Sequence, residues 1–288
     1  GYAGAGGASN FNAGSNNVMM GAEAGNQSIA PNSTVYLGYR AAGTNRHGGY
    51  NVVIGSEAGY SPAGNEFSGS HNVFLGYGAG YKTGADKNVH IGSAAGQYST
   101  GSQNTFIGYA AGYGGQTSAP FSSGENNVAI GFEALKYFTT GHSNIAIGSY
   151  AGDSITTGTY NTIIGRIAGS NLTDNEGNVL IGDGAGNAMD SGENNNVIIG
   201  MSAGYSINNS GADDNIIIGR GAGNGGTGNF LRNIAIGRDA LNSTAGNTSQ
   251  GQIAIGYNAG TQITTGTQNT LIGYLAGYSL TDDSYTVA

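Results

Sequence analysis

Three carboxylates, Glu193, Asp213 and Asp214, lie near one another in the chain and could supply oxygen ligands to Ca²⁺, because hard cations are held by clustered oxygens. They do not recur at the nonapeptide period of calcium-binding repeats, and no metal is expected. The string GDGAGNAMDSG from Gly182 has glycines spaced like a dinucleotide loop. The same glycines recur all along the chain with no helix pattern after them, so they read as turns, and no cofactor is expected. His47, His71, His90 and His142 fall at different places in the repeat and share no partner. No Ser-His-Asp set or carboxylate pair stands out, and the longer insertions near Ser61–Ser70 and Gly114–Gly124 hold no convergent acid, base or nucleophile. The pairs Thr139-Thr140, Thr156-Thr157 and Thr264-Thr265 suggest a flat ice-binding face, but most copies of the repeat lack them. The residue types that could do chemistry thus point to a chain that is not an enzyme.

What would position such residues is the repeat itself. NTFIGYAAGYGG, from Asn104 to Gly115, returns as NVVIGSEAGY, NVFLGYGAGY, NTIIGRIAG, NIIIGRGAG and NTLIGYLAGY. Aligned on the glycine of the IG pair, from Gly21 through Gly55, Gly108 and Gly200 to Gly273, the chain shows about fifteen copies at spacings of 16 to 23 residues, most often 17. A period of that size signals a solenoid or an array. The 56 glycines are not at every third position and only 3 prolines accompany them, which excludes collagen. Apolar residues make up 38% of the chain and come in regular clusters, which a disordered linker has no reason to form.

Within each copy, Val, Ile or Thr stands three residues before the glycine and Ile, Leu or Met one residue before it. A separation of two puts both on one face of a strand. The residue between them is rarely polar: Phe74, Phe106, Ala129, Ile163, Leu180, Ile198, Ile217, Leu271. Both strand faces therefore call for burial, one in the core of a coil and the other against a second layer, another subunit or a neighbouring strand row. Asn precedes the strand in nearly every copy, as at Asn51, Asn104, Asn161, Asn215 and Asn269, and such amides can bond from rung to rung as a ladder. Ala follows the glycine by three in all copies and marks a tight interior corner, and the glycine after it (Gly59, Gly112, Gly169, Gly277) supplies a turn with positive φ. The rest of each copy varies in length, as solvent-facing arcs do. The expected fold is all-β: a parallel β-solenoid of about fifteen rungs, treated as one repeat domain over residues 1–288.

The formal charge of -8 arises from only 9 basic and 17 acidic residues. Nucleic acid is excluded as a partner, since its phosphates call for many Lys and Arg. With no Cys there are no disulfides or thiol nucleophiles, and no apolar run approaches a membrane span.

The phrase N-[VT]-x-I-G-x-x-A, from about Asn17 to Gly277, resembles the YadA-like head repeats of trimeric autotransporter adhesins and similar repeats of bacteriophage tail fibres. The resemblance implies a left-handed β-roll on a cell or virion surface, three chains associating about an axis. It further implies that Val52, Ile54, Thr105, Ile107, Ile147, Ile216, Ile218 and Ile272 point into the roll. Phe74, Phe106, Ile163 and Ile198 would then face a partner chain or second layer, with Tyr109 and Tyr274 as further interface candidates. The copies here are longer than that family's head repeat, and Tyr is abundant. The chain finishes with SYTVA about where a next strand should lie and starts with GYAGAG, like the second half of a rung. The expectation is either an excerpt of a longer repeat protein or subunits that join head to tail into a filament, the other expected mode of self-association. Two functions follow as expectations: a non-enzymatic extracellular structural or adhesive fibre, or a module that reads a surface glycan through tyrosines of successive rungs.

Overall fold

The computed structural model describes residues 14–29, 31–44, 48–62, 68–115, 121–224, 228, 230–242 and 249–288. The chain forms two compact units, Gly1–Ser143 and Asn144–Ala288. Each is a parallel β-solenoid with one three-residue strand per rung. The first holds β1 (Val18–Met20), β2 (Val35–Leu37), β3 (Val52–Ile54), β4 (Val73–Leu75), β5 (Val89–Ile91), β6 (Thr105–Ile107) and β7 (Val128–Ile130). The second holds β8 (Ile145–Ile147), β9 (Thr162–Ile164), β10 (Val179–Ile181), β11 (Val197–Ile199), β12 (Ile216–Ile218), β13 (Phe230–Leu231), β14 (Ile234–Ile236), β15 (Ser249–Gln250), β16 (Ile253–Ile255) and β17 (Thr270–Ile272). Pairing is parallel and in register, so equivalent residues lie on one another: Val52 on Val73 and Ile54 on Leu75 in the first unit, Val197 on Ile216 and Ile199 on Ile218 in the second. The short β13 and β15 pair in a second row on the variable arc.

The strands are short because the backbone turns at both ends. Residues ahead of the ladder position, such as Tyr50, Gln103 and Tyr160, sit at φ near 60°. At the other end Gly55 has φ 138°, where only glycine is comfortable. A Cβ there would overlap the carbonyl of Gly76 in the next rung. Beyond it, each corner donates its N–H to the alanine of the following rung: Ala42 to Ala58 oxygen at 2.9 Å, Gly59 to Ala79 at 2.9 Å, Gly169 to Ala185 at 2.9 Å. Each such alanine from Ala41 to Ala134 and from Ala151 to Ala259 is fully buried. A larger side chain would meet its own image one rung away.

The structure reverses the inside and outside of the strand. Phe74, Phe106, Ile163 and Ile198, expected toward a partner, have 0% exposure and form the core with Val53, Leu180 and Leu271. Val52, Ile54, Thr105, Ile107, Ile147 and Ile218, expected inside, are half-buried on the outer face, Ile216 is exposed, and Ile272 is 60% exposed. The physical reason is parity. The ladder Asn lies two residues before the middle of the strand, so Asn51 and Val53 must share a face. A buried ladder therefore carries the middle residue inward and both flanking residues outward, and a one-residue error in that choice flips every side chain.

Core volume is shared within a rung. Where the middle residue is Phe or His, the corner is glycine and the residue seven beyond the strand-end glycine is small: Phe74 with Gly80 and Thr83, His90 with Gly96 and Ser99. Where it is alanine, large residues fill in. Ala129 is accompanied by buried Leu135 and Phe138, Ala146 by Ile155 and Ala254 by Ile263. Leu135 accepts φ 50° to do so, and Phe138 rests against Phe106 of the preceding rung, ring centroids 5.5 Å apart. Close packing, rather than conserved size at any one position, is what each rung maintains.

Candidate self-association face

The outer face of the strand row carries two columns of side chains in each unit. Every residue in them, from Val18 and Met20 to Thr270 and Ile272, is Val, Ile, Thr, Leu or Met. Neighbours in the row cover much of each one, while Val18, Met20, Ile145 and Ile216 are exposed. A row of mostly β-branched side chains with no charge among them, and nothing beyond it but solvent, is an apolar patch of the kind soluble monomers avoid.

Behind that face lies the asparagine ladder. Asn51, Asn104, Asn161, Asn215 and Asn269 are buried. Each side-chain oxygen accepts the backbone N–H of its successor: Asn51 from Asn72 at 2.8 Å, Asn104 from Asn127 at 2.8 Å, Asn215 from Asn233 at 2.9 Å, Asn269 from Thr286 at 2.7 Å. The amide nitrogen crosses the rung to a carbonyl of the arc, as from Asn51 to Gly69 at 2.9 Å and Asn161 to Asn175 at 2.8 Å. In the second unit the amides also bond one another, Asn178 to Asn161 at 3.2 Å and Asn215 to Asn196 at 2.9 Å. The ladder thus fastens rung to rung and strand to arc together. Gln252 takes the same role, accepting from Asn269 at 3.0 Å and donating to the Gly266 carbonyl.

Beside the strand face runs a column of residues one past the glycine. Tyr109 is 53% exposed and stacks on Phe132, centroids 5.3 Å apart at 15°. Tyr274 is 74% exposed and stacks on Tyr257 at 5.4 Å and 10°. The Arg238 guanidinium lies 5.7 Å from the centroid of Tyr257. Stacking along the rungs covers one face of each ring in these pairs. A sugar packs on an aromatic face, so this geometry offers little to a glycan lying across successive rungs.

The other candidate residues serve the rungs. Glu193 is buried, its carboxylate accepting from the Asn175 amide at 2.8 Å and from the Asn209 backbone at 2.9 Å. Burial pushes that carboxyl above the usual range against the pull of those bonds. Asp213 accepts from the Asn194 backbone at 2.7 Å and Asp214 faces Arg232 at 3.6 Å. No group of three or more His, Cys, Asp or Glu among the described residues could hold a metal ion. In the Gly182 string, Gly182, Gly184 and Gly186 make the corners of one rung, at φ 139°, 65° and 58°. The threonine pairs fasten arcs. The N–H groups of Thr156, Thr157 and Gly158 all point at the Thr173 carbonyl, at 2.8, 3.2 and 3.1 Å. His71 stacks on Tyr50, the His142 Nδ1 lies 3.3 Å from the Ser143 hydroxyl, and His47 falls outside the described residues.

His90 is the exception, and sequence periodicity does not single it out. It occupies a strand-middle position, fully buried between Phe74 and Phe106 with both ring centroids 5.0 Å away. Neither ring nitrogen has a hydrogen-bond partner. Burial pulls its pKa down from 6.5 to about 3, so it is neutral over the whole physiological range.

Among the described residues, no helix is long and apolar enough to cross a membrane. Comparison with protein families, with curated proteins and with solved structures finds no match for this chain.

Proposed function

We propose that this chain is a non-enzymatic structural module of an extracellular or surface fibre, and that it self-associates through the outer faces of its strand rows. The carrying observation is the in-register pair of apolar columns, with no charged side chain in either, on the face left over once the core has been filled from the other side. A surface repeating once per rung is matched best by another surface of the same period, and a second copy of this chain supplies one. Burial of such columns is favourable at roughly 25 cal/mol per Å² of apolar area. The resemblance to trimeric adhesin heads and tail fibres agrees with lateral association. The glycan-reading alternative is less well supported, because stacking takes up one face of Tyr109, Tyr257 and Tyr274.

The test is the native mass by light scattering over a concentration series, for the natural chain and for Ile147→Lys combined with Ile218→Lys. Both substitutions put a charge on the outer face without touching the core. A fixed multiple of the chain mass for the natural protein, falling to one chain in the variant with its β-sheet circular dichroism intact, is the expected result. Mass that grows with concentration in both proteins would assign association to the chain ends instead. A natural chain that stays monomeric throughout would end the proposal.

A further inference from the structure

The chain contains 18 tyrosines and neither Cys nor Trp, so phenols are its principal redox-active side chains apart from methionine. Two of them are held in a geometry that invites coupling. Tyr257 and Tyr274 follow the strand-end glycines of successive rungs. The Gly273 N–H bonds to the Ile255 carbonyl at 2.8 Å and the Leu275 N–H to the Tyr257 carbonyl at 2.9 Å. With the backbone fixed on both sides, the rings lie nearly parallel, 5.4 Å between centroids and 10° between planes. Both are open to solvent, at 38% and 74% exposure. Parallel, in-register pairing gives the two side chains the same direction, so equivalent ortho carbons lie on the same side of the stack. Arg238 of the preceding rung bounds Tyr257 from the other direction.

We propose that Tyr257 and Tyr274 form an oxidative modification site, at which a peroxide-driven one-electron oxidant makes a dityrosine staple between consecutive rungs. Each phenol gives up one electron and one proton and becomes a tyrosyl radical. The two radicals join through one ortho carbon each, forming one C–C bond, and the hydrogen on each joined carbon moves to its ring oxygen to restore the phenol. Hydrogen peroxide takes up the two electrons and two protons and is reduced to two molecules of water. The product is a covalent rung-to-rung link in a chain that has no cysteine to make one.

Other close phenol pairs are less suited. Tyr98 and Tyr113 meet edge to face at 80°, and Tyr60 and Tyr81 are tilted by 53°. Burial raises the Tyr81 phenol, and burial together with the bond to Tyr98 raises Tyr113 to about 12, which disfavours the readily oxidised phenolate. Tyr109 stacks on a phenylalanine and has no phenol opposite it in that stack.

The experiment treats dilute intact chain with a peroxidase and hydrogen peroxide, reads dityrosine fluorescence, and maps the joined peptides by mass spectrometry. The expected result is a single-chain product lacking two hydrogens, with Tyr257 joined to Tyr274. Preorganisation makes its yield independent of protein concentration, and about tenfold lower in either Tyr257→Phe or Tyr274→Phe. Tyr77→Phe, at another exposed tyrosine, keeps the natural yield, and circular dichroism checks that all three variants are folded. Dityrosine that maps to other residues, or that survives both substitutions in folded protein, would overturn the proposal.

Discussion

His90 is a polar ring in a place built for phenylalanine. Its column neighbours are Phe74 and Phe106, and Gly96 leaves room for the ring, since a Cβ there would overlap it. Two unpartnered nitrogens in that site cost about 1 to 3 kcal/mol each in lost hydration. The pH dependence follows from the lowered pKa. Below about 6.5 the unfolded chain takes a proton on His90, while the folded chain refuses it until about 3. Between those limits the unfolded state binds more protons, so stability falls as pH falls, by roughly 1.4 kcal/mol for each pH unit. His90→Phe removes both penalties. The variant should melt higher than the natural chain at pH 7, and the gap should widen steadily as the pH is lowered from 6.5 toward 4. A gap that is absent, or constant over that range, would show that His90 finds solvent or a polar partner. No titratable group is stacked against the ring from either side, so the acid sensitivity has no local counter-charge to soften it.

At the scale of the rung, the ladder is the element whose loss should be felt most widely. Asn161 receives the Asn178 backbone N–H at 3.0 Å and gives its amide to the Asn175 carbonyl at 2.8 Å. Asn161→Ala leaves both buried groups without these bonds, at roughly 1 to 3 kcal/mol each. Asn161→Gln should cost clearly less, because Gln252 fills the same role naturally. Urea unfolding of the two variants checks the order, and equal losses would show that the ladder amide is dispensable. The ladder, the alanine corner, the glycine turns and the one-strand rung are all legible in the sequence, because each is a residue type demanded by backbone geometry at a fixed position. The direction of the strand is also encoded, in the two-residue step from Asn51 to Val53, but apolar character on both faces conceals it. What periodicity cannot reveal is the exchange of volume between positions. Ala129, Leu135 and Phe138 make sense only once three points of the rung are known to meet, and the stacking that pairs the rings follows from rung spacing rather than residue type.

At the scale of the whole molecule, a repeat protein adds up nearest-neighbour contacts, and any interaction made only by the folded chain shifts its stability by mass action. The core is filled from the inner face of each strand, so the outer columns gain only the partial cover of their row neighbours until another surface meets them. If they are covered by further copies, the melting temperature of the natural chain must rise with protein concentration. Ile147→Lys with Ile218→Lys should lower the melting temperature at high concentration and abolish that dependence. Diluted far enough, the two proteins should differ only by the small, concentration-independent loss of cover within the row, since neither substitution disturbs Ala146 or Ile217, the buried neighbours that hold the rung together. The comparison separates the two uses of the strand. A variant that is equally destabilised at every concentration would place Ile147 and Ile218 in the monomer's own stability, and the outer columns would then be a packed surface with no partner to explain.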